Sequence, residues 1–132
     1  MLTRDGKTYF TEQELKCKGS GNLRLAPGFG EKLLDLRILL NRPMVVNSCC
    51  RSKQHNFDVG GNPRSFHVSD LPFYPTGGCC AIDIDCDDSI SRADLVACAL
   101  SLGWWVGVHK SFIHLDRRID YGIAKSPGIF LY

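Results

Sequence analysis

The sequence predicts an α+β fold, a small antiparallel sheet with helices packed on one side and a functional cleft on the other. Two patterns predict it. Between residues 27 and 40 the apolar side chains Phe29, Leu33, Leu36 and Leu40 recur at helical spacing, whereas residues 80–85 and 112–116 alternate strictly with period two. A length of 132 residues suits one domain, 1–132, and a composition of 44% apolar and 23% charged residues leaves no stretch with the character of a disordered tail.

Taken in order, Thr11 with Glu14 three residues later has capping-box spacing and opens a short helix whose apolar contact is Leu15. The run KCKGSGN reads as a turn. The helix over 27–40 stops at Asn41-Arg42-Pro43, and residues 44–48 (MVVNS) read as a buried strand. From there to about Gly78 the chain is rich in Gly, Pro, Ser and Asn without a clear period, and a loop of that length in a compact domain is usually functional. In the strand over 80–85, Ile82 and Ile84 share one face while Asp83 and Asp85 share the other. Ser91 and Asp94 are read as the cap of a second helix running to about Leu102, with Gly103 as its stop. Strands over 104–108 and 112–116 follow, joined by His109-Lys110-Ser111, and His114 and Asp116 share a face opposite Ile113 and Leu115.

The charges exclude one class of partner. Sixteen basic and fourteen acidic residues, net +2, are scattered without a basic block that would follow a phosphate backbone, so nucleic acid is not expected. The opening MLTRDGKTYF is charged and precedes no long apolar run, so neither a secretory signal nor a membrane span is predicted. Seven cysteines (17, 49, 50, 79, 80, 86, 98) form no C-x-x-C pair. Cys98 sits in a helical pattern, where a buried inert thiol is expected. Cross-pairing between Cys49-Cys50 and Cys79-Cys80 stays open.

Function is read from motifs. Arg51-Ser52-x-x-His55-Asn56-x-x-Val59-Gly60-Gly61, then Ser65-x-His67, Ala81-x-Asp83-Ile84 and Phe112-Ile113-His114-Leu115-Asp116 form an ordered set. That set resembles the zinc D-Ala-D-Ala carboxypeptidase family, whose members share the hedgehog/DD-peptidase fold and cut peptides of the bacterial cell wall. The opening Tyr9-Phe10-Thr11-x-x-Glu14-Leu15-x-Cys17 is similar to the start of the short phage and prophage members, so the likeness covers nearly the whole chain. The resemblance implies one Zn2+ held by His67, Asp83 and His114, with a coordination position left for water, as hydrolysis requires. It implies that Arg51 engages a peptide or carboxylate group of the substrate. Asp116 is then a carboxylate that orients a ligand or takes part in proton transfer, and His55 and Ser65 join Arg51 in substrate binding, with a hydrogen-bonded structural role for His55 equally open. The expected substrate is a peptidoglycan stem peptide, the expected state a monomer. Without a signal, such a protein is made in the cytoplasm of a phage or prophage host and meets the wall after release or as part of a virion.

Two departures from the family pattern bear on the site. The family spaces its first histidine and its aspartate as Ser-x-His-x-x-Gly-x-Ala-x-Asp, whereas VSDLPFYPTGGCC separates His67 from Ala81 here and is expected to form a rim. Asp70 and Asp85 are then alternative ligands, less well matched than Asp83. The acidic residue that many relatives carry three positions before the last histidine is Ser111 here, leaving His109 or Asp116 to act as base. Two other functions stay in view. One is a non-catalytic zinc or wall-binding module, the other a thiol enzyme whose activity survives a chelator. Trp104-Trp105 is read as core and edge packing ahead of a sugar-stacking platform.

Overall fold

The computed structural model describes residues 1–70 and 76–132. The middle of the expected rim, residues 71–75, lies outside the described residues.

The chain opens with a hairpin that the sequence reading does not assign, β1 (Leu2–Arg4) and β2 (Lys7–Phe10). Its strands are too short to show a period. Its signal is Asp5-Gly6, both at positive φ (52° and 78°), as a two-residue primed turn requires. The capping box holds: Thr11 accepts from the Glu14 N–H and Glu14 accepts from the Thr11 N–H, opening α1 (Glu12–Leu15). Helix α2 (Phe29–Leu40) buries Phe29, Leu33, Leu34 and Leu36. It ends where expected, at a left-handed Asn41 whose N–H returns to the Arg37 carbonyl.

The main sheet runs β3-β4-β6-β5-β7. Strands β3 (Val46–Ser48), β4 (Ala81–Asp85), β6 (Phe112–Asp116) and β5 (Trp105–Val108) pair antiparallel, and β7 (Ile129–Leu131) adds to β5 in parallel. Two central pairings position the site: Asp83 opposes His114 on β4–β6, and Gly107 opposes His114 on β5–β6. The alternation read in the sequence survives intact. Ile82, Ile113 and Leu115 are fully buried in the core, while Asp85 at the end of β4 is exposed.

Helix α4 (Ser89–Ser101) packs on β5 and β6, and α2 packs on α4 and β1. The α4 cap is Asp88 rather than Ser91. Asp88 has extended backbone and a carboxylate that accepts from the Ser91 N–H at 2.8 Å, so the helix starts three residues earlier than expected. Between Arg51 and Gly78, read as loop, the chain forms the short helix α3 (Lys53–Asp58). After β6 a 3-10 turn (Arg118–Tyr121) leads towards β7, and neither was expected. Trp104 is a fully buried core residue, edge-on to Phe29 at 5.7 Å with the Arg117 guanidinium over its ring at 5.2 Å. Trp105 is half-buried and donates to the Ser126 carbonyl. No described helix is long and apolar enough to cross a membrane.

Candidate metal centre

The site grows from the polar face of β4 and β6. Because Asp83 and His114 are paired across the ladder, their side chains meet, with His114 Nδ1 3.0 Å from Asp83 Oδ1. His67 arrives from the loop after α3 and sets Nε2 3.1 Å from the same oxygen. That loop is tied to its neighbours by backbone bonds: Arg51 N–H to the His67 carbonyl (2.8 Å), Ser69 N–H to the Arg51 carbonyl (2.9 Å) and Cys80 N–H to the Phe66 carbonyl (2.9 Å). All three side chains are buried, and their ligand atoms lie within 4.8 Å of one another.

The far side of each ring decides which nitrogen faces the cluster. His67 Nδ1 lies 2.7 Å from the Cys49 carbonyl, which only accepts, so Nδ1 carries the proton and Nε2 presents its lone pair. His114 Nε2 lies 2.8 Å from Asp116 Oδ2, which turns Nδ1 towards Asp83. Two imidazole nitrogens and one carboxylate oxygen, each ring fixed from behind, fit a single zinc ion with an open position. Electrostatics favour the same group. Burial opposes ionisation of Asp83, but His67 and His114 override it and hold the carboxyl far below the ordinary range. Burial likewise opposes charge on His114, yet hydrogen bonds to Asp116 and Asp83 raise it to about 9, so a proton and a cation compete for Nδ1.

The motif around Arg51 now has a physical reading. Arg51 donates from Nε to Ser48 Oγ (3.1 Å), from Nη1 to Asn56 Oδ1 (3.1 Å) and from Nη2 to Asp83 Oδ2 (3.4 Å). Ser52 caps α3 by accepting from the His55 N–H, and Asn56 also donates to the Asn62 carbonyl. A Cβ on Gly61 would fall 2.2 Å from Asn56 Oδ1 and 3.1 Å from Arg51 Nη1, so only glycine lets the chain close over this pair.

A cleft of about 630 Å³ opens onto the cluster, lined among others by Arg51, Ser65, His67, Asp83, His114 and Arg118. Ser65 also accepts from the His67 N–H at 3.2 Å. His55 is not among the lining residues; its ring packs against Gly19, where a Cβ would come within 2.7 Å of Nδ1. Asp116 is completely buried behind His114 and accepts from Arg118 Nε, Nη2 and N–H, so its oxygens are engaged as a brace for the ring. His109 stands beside the cleft, stacked on Phe112 at 4.3 Å and edge-on to Tyr132 at 5.4 Å. Its Nδ1 accepts from the Ser111 N–H, which leaves the neutral ring protonated at Nε2. Asp70 and Asp85 are exposed; Asp70 accepts from the Lys53 N–H at 2.8 Å, and neither lines the cleft. Asp83 is the lone carboxylate among the described lining residues.

Besides Asn62, Arg64 and Phe66 on the loop before His67, the sequence reading did not single out the lining residues Arg118, Phe130 and Tyr132. Arg118 is clamped by Asp116 and lies over Trp105 (4.3 Å) and Phe66 (4.7 Å). Its signal was its place two residues after Asp116. Burial, with the Asp83 charge behind it, pushes the Tyr132 hydroxyl up to about 12.

A family model described as Peptidase M15 matches residues 8–116. Searches of curated proteins and of solved structures gave no match. The matched span takes in Arg51, His67, Asp83, His114 and Asp116, and it covers most of the chain, which therefore belongs to the peptidase M15 family of zinc D-Ala-D-Ala carboxypeptidase-like proteins.

Proposed function

We propose that this protein is a zinc peptidase that hydrolyses a peptide bond in bacterial peptidoglycan, of the DD-carboxypeptidase or murein endopeptidase type. The observation that carries the reading is the convergence of His67 Nε2, Asp83 Oδ1 and His114 Nδ1 at an open cleft that also holds the Arg51 guanidinium. When bound, zinc supplies a Lewis acid for the scissile carbonyl and lowers the pKa of its water.

The chain's own groups do the rest. Arg51 and Arg118 give the cleft two fixed guanidinium groups, suited to the carboxylates of a stem peptide. Asp116 holds His114 in one orientation. Ser65 lines the cleft beside His67, and Tyr132, protonated at neutral pH, donates a hydrogen bond to bound peptide. His109, packed against the lining residues Phe112 and Tyr132, presents Nε2–H at the rim as a further donor. His55 acts in packing. The setting that fits the resemblance is a lysis protein or a virion-associated wall hydrolase of a phage or prophage.

The test is mass spectrometry of purified peptidoglycan fragments incubated with the zinc-loaded protein, beside His67→Ala and a chelated sample. New products that vanish in both controls are expected, and their masses name the bond. Ser111 in place of an acidic residue favours a second reading, a non-catalytic zinc module that binds the wall. Intact fragments across several wall chemistries, with zinc bound stoichiometrically, would replace the first reading by the second.

A further inference from the structure

Behind His67 lies a second convergence of metal-ligating atoms. Cys49 and Cys50 follow β3, Cys79 precedes β4 by two residues, and all three are buried. Their sulfurs lie within 4.8 Å of one another, and Cys49 Sγ stands 3.8 Å from Cys79 Sγ. In a tetrahedral thiolate site with metal–sulfur bonds of about 2.3 Å, the sulfur–sulfur edge is about 3.8 Å. The Cys49–Cys79 edge therefore already stands at coordination spacing, and the Cys50 sulfur lies within 4.8 Å of both.

Backbone geometry, not side-chain adjustment, brings them together. The Cys79 N–H donates to the Arg24 carbonyl (2.9 Å), the Ala26 N–H to the Cys79 carbonyl (2.8 Å) and the Cys50 N–H to the Leu15 carbonyl (3.1 Å). In the reduced form the Cys50 S–H donates to the Arg24 carbonyl at 3.7 Å, and the single Cys79 S–H is shared between the carbonyls of Cys49 and Ala81 at 3.3 and 3.2 Å. A disulfide would engage two of the three sulfurs and leave the third.

We propose that Cys49, Cys50 and Cys79 form a second metal site, in which three thiolates bind one thiophilic cation of the zinc class. Binding exchanges the three thiol protons for the cation. None of the three cysteines lines the cleft, so this ion is structural and exchanges slowly, in contrast to the open site. The two sites share one residue: the Cys49 carbonyl accepts the His67 Nδ1 proton, so an ion on the Cys49 sulfur steadies the atom that orients His67. The inference stands whether or not the open site hydrolyses anything.

Cobalt titration of the full chain under reducing conditions tests it, because the open site has no sulfur ligand. Two equivalents are expected, one of them giving an intense near-ultraviolet thiolate-to-cobalt band. His67→Ala should lose one equivalent and keep the band, Cys50→Ser should lose the band, and Cys98→Ser on α4 should keep both equivalents and the band. Zinc-loaded protein dialysed against a chelator should retain one equivalent. If Cys50→Ser fails to fold, the wild-type stoichiometry and band decide alone. A single equivalent without the band overturns the proposal. A count of all seven thiols under denaturing conditions would then identify inert core cysteines, and a count of five in unreduced protein a disulfide.

Discussion

The two faces of the β4–β6 ribbon are built from alternate residues of the same two strands in the same register, yet they hold together by different physics. On one face Ile82, Ile84, Ile113 and Leu115 are buried among the apolar side chains that α4 helps to cover. On the other, Asp83, His114 and Asp116 are buried just as deeply and are joined by charge-assisted hydrogen bonds that pass from Arg51 through Asp83 and His114 to Asp116 and Arg118. The apolar face is graded, because each methylene adds its own increment. The polar face is cooperative, since each group is satisfied only while its neighbours are present. Fold and chemistry should therefore be separable by single substitutions on adjacent positions.

The largest effect is expected at the centre of the polar face. Asp83→Ala should lower hydrolysis by roughly a thousandfold or more and remove the zinc equivalent at the open site, with far-ultraviolet circular dichroism unchanged. A variant that kept a tenth of the activity would remove Asp83 from the ligand set. Its mirror image is Leu115→Ala on the apolar face, expected to cost about 2–5 kcal/mol in denaturant unfolding while zinc stoichiometry at low temperature is kept. Loss of zinc from a Leu115→Ala protein of full stability would break the separation of faces. Asp116→Asn comes next. It preserves shape but weakens the brace on His114, and zinc affinity should fall about 10- to 100-fold in competition with a chromophoric chelator.

How much of this is legible in the sequence follows the same division. Strict alternation alone puts Asp83 and His114 on polar faces, and Thr11 with Glu14 announces α1 because a capping box is local chemistry. Segments without apolar periodicity stay hidden. In and just after α3, Phe57 and Val59 are exposed, so no stripe marks the helix, and its single signal is the Ser52 cap. Strand β7 exposes Ile129 and Leu131 and pairs in parallel with a strand more than twenty residues earlier, a long-range choice that local pattern does not encode. Phe130 and Tyr132 reach the cleft through that pairing, so they are missed with it. The motif residues are recognisable by resemblance, but the reason for Gly61, close approach to Asn56 and Arg51, exists only in three dimensions.

The smallest expected effect probes where the polar face meets this unforeseen strand. Gly107 lies between His114 on β6 and Phe130 on β7, and a Cβ there would stand 2.5 Å from the Phe130 ring. That ring is 5.7 Å from the His114 ring, so Phe130 closes the cleft's flank by lying across the glycine. Gly107→Ala leaves both ladders intact and displaces only the aromatic. Unfolding free energy should drop by about 1–3 kcal/mol, and KM should rise while kcat holds, because the ring shapes the wall and not the ligand set. If instead kcat and zinc affinity fall with KM unchanged, Phe130 supports His114 itself, and the polar face extends one strand further than its hydrogen bonds suggest.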